Sequence, residues 1–277
     1  MLDELQAICG SYIKALDVLY VIEDLKPVSR VMVNEEGYLP LVDLLKKNKL
    51  VFERADFKIQ KMDKTNYSDK GQKLPMNFEK KGDYFLYISK SKDMAAKAKE
   101  LEGKEDHIEF GKILGYPECC VKFFNQEFPQ ESKGNNDYVY PALRNSEGFR
   151  FPFFNNVVAR HLDLNLISHF PCNFNCKASI EIGKKNLECI KKISPDISIM
   201  SIGMLKGGVL YNKKRELFLL RDFRVDGNKV YYNNAITSVN NELFAKLKEN
   251  EFVEVLNQNT VMVGDMELKD VAFMVFE

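Results

Sequence analysis

Four of the six cysteines in this 277-residue chain fall into two proline-introduced turns. Cys119 and Cys120 stand side by side in Gly115-Tyr116-Pro117-Glu118-Cys119-Cys120-Val121-Lys122-Phe123-Phe124. Cys172 and Cys176 follow in His169-Phe170-Pro171-Cys172-Asn173-Phe174-Asn175-Cys176. Thiolates ligate zinc and iron–sulfur clusters, so the grouping points to a metal or cluster site. Electrostatics supports this. Two thiolates about 4 Å apart repel by about 4 kcal/mol at an effective dielectric of about 20, and a helix N-terminus returns only about 0.3–1 kcal/mol. Four clustered sulfurs must therefore be neutral thiols, disulfides, or ligands of a cation that deprotonates them. Where thiols are kept reduced, the cation is the best of the three.

Zinc would satisfy four thiolates tetrahedrally. An iron–sulfur cluster would also fit, and with three thiolates bound it would leave an open iron for substrate. The apolar surroundings suit a cluster, but composition does not separate the two. The paired Cys-x-x-Cys knuckles of structural zinc sites are absent, as is the bacterial ferredoxin spacing. Two other readings of the thiols stay open: buried structural cysteines, and a redox-active or nucleophilic thiol. His169, close before Cys172, is either a further ligand or a hydrogen-bond partner of a ligating sulfur. The opposing reading is a histidine satisfied by a backbone carbonyl.

Other reactive residues carry less. His161 follows Arg160 on an expected helix and could face the same cleft, near Arg144, Asn155 and Asn156, although a surface role is the simpler reading. His107 reads as an N-terminal helix residue after Asp106. Cys9 and Cys189 lie on apolar helix faces and read as core. Gly207-Gly208 lacks the Lys and Ser/Thr of a phosphate loop. Glu35-Glu36 and Asn233-Asn234 read as turns.

The elements that must position the thiols come from periodicity. Pro117 suits the first position of a helix over Cys119 to Phe128, with Cys119 and Cys120 set over the apolar stripe of Phe123, Phe124 and Phe128. Asn175 is the expected N-cap of a helix over Lys177 to Ile193. The steps from Cys176 to Ile180, Gly183, Leu187 and Ile190 place that cysteine on the buried face. Elsewhere helices are expected over residues 2–16, 39–47, 92–102, 107–114, 155–163 and 242–249. Gly115 ends the fourth of these as a cap. Strands are expected over 18–22, 29–33, 51–57, 84–88, 209–211, 217–224, 229–232, 252–256, 261–263 and 271–276. Asp63 to Lys81 and Gln130 to Pro152 read as loops. The fold class is therefore α+β: a mixed helical and strand region over 1–82, a mainly helical cysteine region over 83–195, and a β-rich part over 196–277.

Composition limits the function classes. Forty basic residues balance forty acidic ones, so no net field draws nucleic acid or anionic membrane, and partners are not indicated. The lysines at 184, 185, 191 and 192 read as a solvated helix face. No apolar run reaches the roughly 20 residues that a bilayer requires, and the acidic N-terminus has no signal-peptide layout. A cytoplasmic protein is expected.

The two cysteine motifs, taken as Leu114 to Phe124 and His169 to Ser179, resemble the family catalogued as domain of unknown function 483, found largely in archaea. The similarity runs from about Tyr84 to Ile193. It implies that Cys119, Cys120, Cys172 and Cys176 form one site with His169 close by, and it implies no activity. Three functional classes follow. The first is a cytoplasmic metalloprotein with one iron–sulfur cluster or one zinc. The second is a thiol, sulfur-transfer or redox enzyme acting on RNA or a small molecule. The third is a non-catalytic binding or scaffold protein whose cysteines are purely structural.

Overall fold

The computed structural model describes residues 1–62, 69, 71–79, 81–133 and 136–277. The chain opens with helices α1 (Leu2–Cys9) and α2 (Tyr12–Ile22), then strand β1 (Val28–Val33), helix α3 (Glu35–Lys47) and strands β2 (Val51–Lys61), β3 (Gly71–Pro75) and β4 (Asp83–Ser89). Helices α4 (Lys92–Gly103), α5 (His107–Ile113), α6 (Glu118–Glu131) and α7 (Val139–Arg144) follow, then the short strand β5 (Arg150–Phe151). Two 3-10 turns (Phe153–Asn155 and Val157–Leu162) lead through an irregular stretch to α8 (Lys177–Ile193) and α9 (Pro195–Leu205). The remainder is β6 (Gly207–Asn212), β7 (Leu217–Arg221), β8 (Arg224–Asp226), β9 (Lys229–Tyr231), β10 (Asn234–Ile236), α10 (Glu242–Glu249), β11 (Phe252–Asn257), β12 (Thr260–Val263), β13 (Met266–Lys269) and β14 (Val271–Phe276).

The expected α+β class holds, with a strand-rich C-terminal part. The strands form three sheets, in the orders β1-β4-β2-β3, β10-β7-β6-β14-β5 and β13-β12-β11-β9-β8. Neighbours are antiparallel except β14 and β5. The first sheet has an apolar layer on each side. Val31, Val33, Leu86 and Ile88 face the main core, while Val28, Met32, Phe85 and Tyr87 pack with Ala98 of α4 and with Leu114. Strand β14 is buried along its whole length. Ala272, Met274 and Phe276 enter the main core, and Phe273 and Val275 enter a second core shared with the third sheet. This is the period-two alternation of a strand covered on both faces. The main core also takes Leu16, Phe123 and Ile190, so it draws on residues from all three expected segments.

Several local expectations are corrected. The helix expected over 2–16 breaks at Gly10, whose φ of 66° caps α1, and Ser11 restarts the chain by accepting a bond from the Lys14 amide. Residues 18–22, expected as a strand, continue α2, because an unbroken buried run there packs as well on a helix as on a strand. Glu35 and Glu36 form the acidic first turn of α3 behind the Asn34 cap. The loop expected over Asp63 to Lys81 lies partly outside the described residues, and its Gly71–Pro75 portion is β3, paired with β2. The loop expected over Gln130 to Pro152 contains α7 and part of β5. The helix expected over 155–163 is 3-10 in character, and Asn234 begins a strand. The β-rich part opens with a helix, α9, whose first residue is Pro195, a position where proline's missing N–H costs nothing. Among the described residues no helix is long and apolar enough to cross a membrane.

Candidate metal centre

Helix α6 begins at Glu118 with Pro117 as its N-cap, one position earlier than expected for the proline. Cys119 and Cys120 therefore occupy the second and third helical positions, and the Cys120 amide donates to the Pro117 carbonyl at 2.9 Å in a tightened first turn. Cys120 is buried and Cys119 exposed. Gly115 orients this helix start. Its φ of +80° and the Pro27 ring against it leave no room for a side chain, so α5 can end and the chain can turn into Pro117.

The second turn is also one residue out of register with expectation. Cys176 itself is the N-cap of α8, and the Asn175 amide instead donates to Asn173 Oδ1 at 3.0 Å. Three side chains outside the motif hold this turn. Asn145 Nδ2 donates to the Cys172 carbonyl at 3.2 Å, and the Phe174 amide donates to Ser146 Oγ at 2.8 Å. Asn155, fully buried, donates to the carbonyls of Phe174 and Cys176 at 3.0 and 3.4 Å. Asn145 and Ser146 lie in the segment expected to be a loop, so nothing in their local pattern marks them.

The two turns bring the four sulfurs together. Sγ of Cys119 lies 3.9 Å from that of Cys120 and 3.7 Å from that of Cys176, and Cys120 and Cys176 are 3.7 Å apart. With Cys172 included, all four sulfurs lie within 4.8 Å of one another. The cluster is positioned to hold a metal ion. Its surroundings also suit thiolate charge. The Cys172 amide donates to Cys120 Sγ at 3.3 Å, Asn173 Nδ2 donates to Cys172 Sγ at 3.5 Å, and Ser179 Oγ sits 3.2 Å from Cys120 Sγ. Both turns lie at helix N-termini, whose dipoles favour anions.

Without a cation the four thiols cannot all ionise. Hydrogen bonds to Cys172 and Cys176, together with burial, push the Cys120 thiol far above the usual range. The Cys172 thiol takes a lowering bond from Cys120, yet its bond to Cys176 and its burial carry it up to about 12. Bonds from Cys120 and then Cys172 pull the Cys176 thiol far below its usual value. The coupled thiols thus resist losing all their protons together, and a bound cation would displace those that remain. The lone cysteines are different. Burial pushes Cys9 up to about 12 and Cys189 up to about 11, as for inert core thiols.

His169 lies outside the four-sulfur group. Its Nε2 is 2.8 Å from Ser179 Oγ, which in turn meets Cys120. Burial, with Lys26 adding to it, lowers its pKa to about 3, so the ring is neutral. Tyr116 packs on it at 5.1 Å. Ser179, one helical turn into α8, was not singled out from the sequence, because serine near a helix start ordinarily reads as a capping residue. His161 is elsewhere. Its Nε2 lies 3.2 Å from the Tyr211 hydroxyl, beside the buried pair of Asp137 and Arg160 at 2.9 Å. Arg144 pairs with Glu127 at 3.1 Å on the surface, and Asn156 donates to the Leu205 carbonyl. His107 stacks on Phe128 at 4.5 Å.

Behind Cys120 and His169 opens a cavity of about 470 Å³, walled by α2, β1, α5 and α6. Most of its charged lining is paired. Lys26, next to the cavity, meets Asp17 at 2.5 Å, and Ser29 and Ser168 also donate to Asp17. Arg30 meets Glu102 at 2.9 Å and Asp69 at 3.1 Å. No family model, no curated protein and no solved structure matches this chain.

Proposed function

We propose that Cys119, Cys120, Cys172 and Cys176 bind a single tetrahedral metal ion, and that the ion is zinc. The sulfur spacing carries the reading. Four sulfurs about 2.3 Å from one central zinc stand about 3.8 Å apart, and three of the distances here are 3.7, 3.7 and 3.9 Å. In an iron–sulfur cluster the thiolates ligate different irons and are spread apart by the cluster itself, so four sulfurs within 4.8 Å favour one ion. This reverses the leaning towards a cluster that apolar surroundings alone suggest. Four protein ligands close the coordination shell, which is the pattern of structural zinc. The ion would lock the start of α6 to the start of α8 and fix the cavity wall at Cys120.

One observation favours a second reading, in thiol chemistry. Cys119 is exposed and its sulfur lies 3.7 Å from the acidified Cys176. The proposal also supposes a reducing, cytoplasmic setting in which all six cysteines stay unpaired, and membership of the family of unknown function 483. Neither supplies an activity. Anaerobic purification followed by metal analysis and an absorption spectrum tests the reading. One zinc per chain with no charge-transfer band is expected. Iron with sulfide and a broad band near about 400 nm would establish a cluster instead, and a metal-free chain with a readily formed Cys119–Cys176 disulfide would establish thiol chemistry.

A further inference from the structure

The cavity contains one ion pair that is not closed. Lys14 is 7% exposed, yet its ammonium lies 3.7 Å from Asp69 Oδ1, beyond hydrogen-bond reach, and its side chain makes no hydrogen bond among the described residues. Asp69 Oδ1 is itself buried with no hydrogen-bond partner. The Asp69 oxygen is thus a buried acceptor without a donor, and the Lys14 ammonium beside it makes no hydrogen bond among the described residues, so the two offer a donor and an acceptor side by side to a ligand in the cavity. Both residues line the cavity.

What fits is constrained from two sides. The other lining charges are paired, Arg30 with Glu102 and Asp17 with Lys26, so a ligand with net charge would find no countercharge without breaking a pair. An unsatisfied donor beside an unsatisfied acceptor calls for an acceptor and a donor on one ligand edge. The lining also carries aromatic rings, from Phe110, Phe124, Phe170 and His107, which suit a flat π-face. The volume of about 470 Å³ is that of a small-molecule site. The geometry points to a binding site for a neutral, planar nitrogen heterocycle, namely a nucleobase or nucleoside, with Lys14 and Asp69 reading its donor–acceptor edge and the rings stacking on its face. The site abuts the thiol centre through Cys120, while Lys14, Asp69 and the stacking rings lie outside the four-sulfur group.

Isothermal titration of the full chain as purified, with adenosine, guanosine, cytidine and uridine as probes, tests this. At least one nucleoside is expected to bind with a Kd below about 1 mM. Lys14→Met should weaken that binding about tenfold or more. Phe124→Leu, which keeps apolar volume but removes the ring, should weaken it several-fold. Lys184→Ala, on the exposed face of α8 and outside the cavity lining, should bind as the parent does. The inference is overturned if no nucleoside binds, if binding ignores both Lys14→Met and Phe124→Leu, or if only the control probes phenylalanine or inorganic phosphate bind. A chain that holds no metal yet binds a nucleoside upholds this site and sinks the zinc reading. A zinc-loaded chain that binds none does the reverse.

Discussion

The thiol centre and the charged cavity meet at Cys120, yet they are built in opposite ways. The centre takes its groups from two short turns, and each turn carries its own pair of cysteines. The cavity takes Lys14 and Asp17 from α2, Arg30 from β1 and Glu102 from α4, and none of these has a reactive neighbour in sequence. The centre concentrates one kind of group in an arrangement that could hold a cation. The cavity wall sets opposite charges against each other and needs none. A metal can therefore be removed and returned, whereas a buried ion pair cannot lose one member without leaving the other charge uncompensated.

The largest expected effect accordingly lies on the charged wall. Lys26→Met strands the Asp17 carboxylate, whose side chain is only 10% exposed, and should cost about 3–5 kcal/mol in chemical denaturation, with no added ion restoring it. A loss below about 1 kcal/mol would mean that the pair behaves like a surface bridge. Next comes the thiol centre. Chelation, or Cys120→Ser, should cost about 3–4 kcal/mol, as linkage gives for an ion held at several hundred times its Kd. That corresponds to a melting temperature lower by roughly 10 °C. The chelated wild-type chain should recover on adding zinc and the variant should not. Equal melting curves with and without chelator would remove the structural role.

Acid probes a third polar cluster, which meets the cavity where Arg160 lies 4.3 Å over the Phe170 ring. Burial first, then Arg160, lowers His161 from 6.5 to about 4. The unfolded chain thus takes up a proton that the folded chain refuses between those values. The stability associated with neutral His161 is complete above pH 6.5 and is lost as the pH falls towards about 4, by up to about 3 kcal/mol. His161→Gln should flatten that slope, and an unchanged slope would assign it to other groups. The smallest effect belongs to the link between the two regions. Ser179→Ala leaves His169 Nε2 without its 2.8 Å partner and should cost about 1–2 kcal/mol and about tenfold in zinc affinity. Unchanged affinity would make the link a packing detail.

The same contrast explains what was legible in the sequence. Cysteine is rare in this chain, and its pairing beside prolines at expected helix starts marked all four sulfurs before any coordinates. The cap assignments slipped by one residue at Pro117 and Asn175, because neighbouring cap positions differ only in backbone angle. Periodicity found α3, α8 and α10, since each has one buried face, and runs of apolar and β-branched residues found most strands. It misread residues 18–22, where burial on all sides removes the period. It missed α7, whose short run gives little signal, and with it Asn145 and Ser146, which brace the second turn. Lys14 is one of forty basic residues, and only the fold sets it apart.

X-ray absorption at the metal edge of the purified chain tests the four-sulfur centre most directly. It predicts a zinc edge with a single shell of four sulfurs at about 2.3 Å. A nitrogen in that shell would bring His169 back as a ligand, and an iron edge with a metal–metal distance would replace the single ion by a cluster; either result would contradict the account.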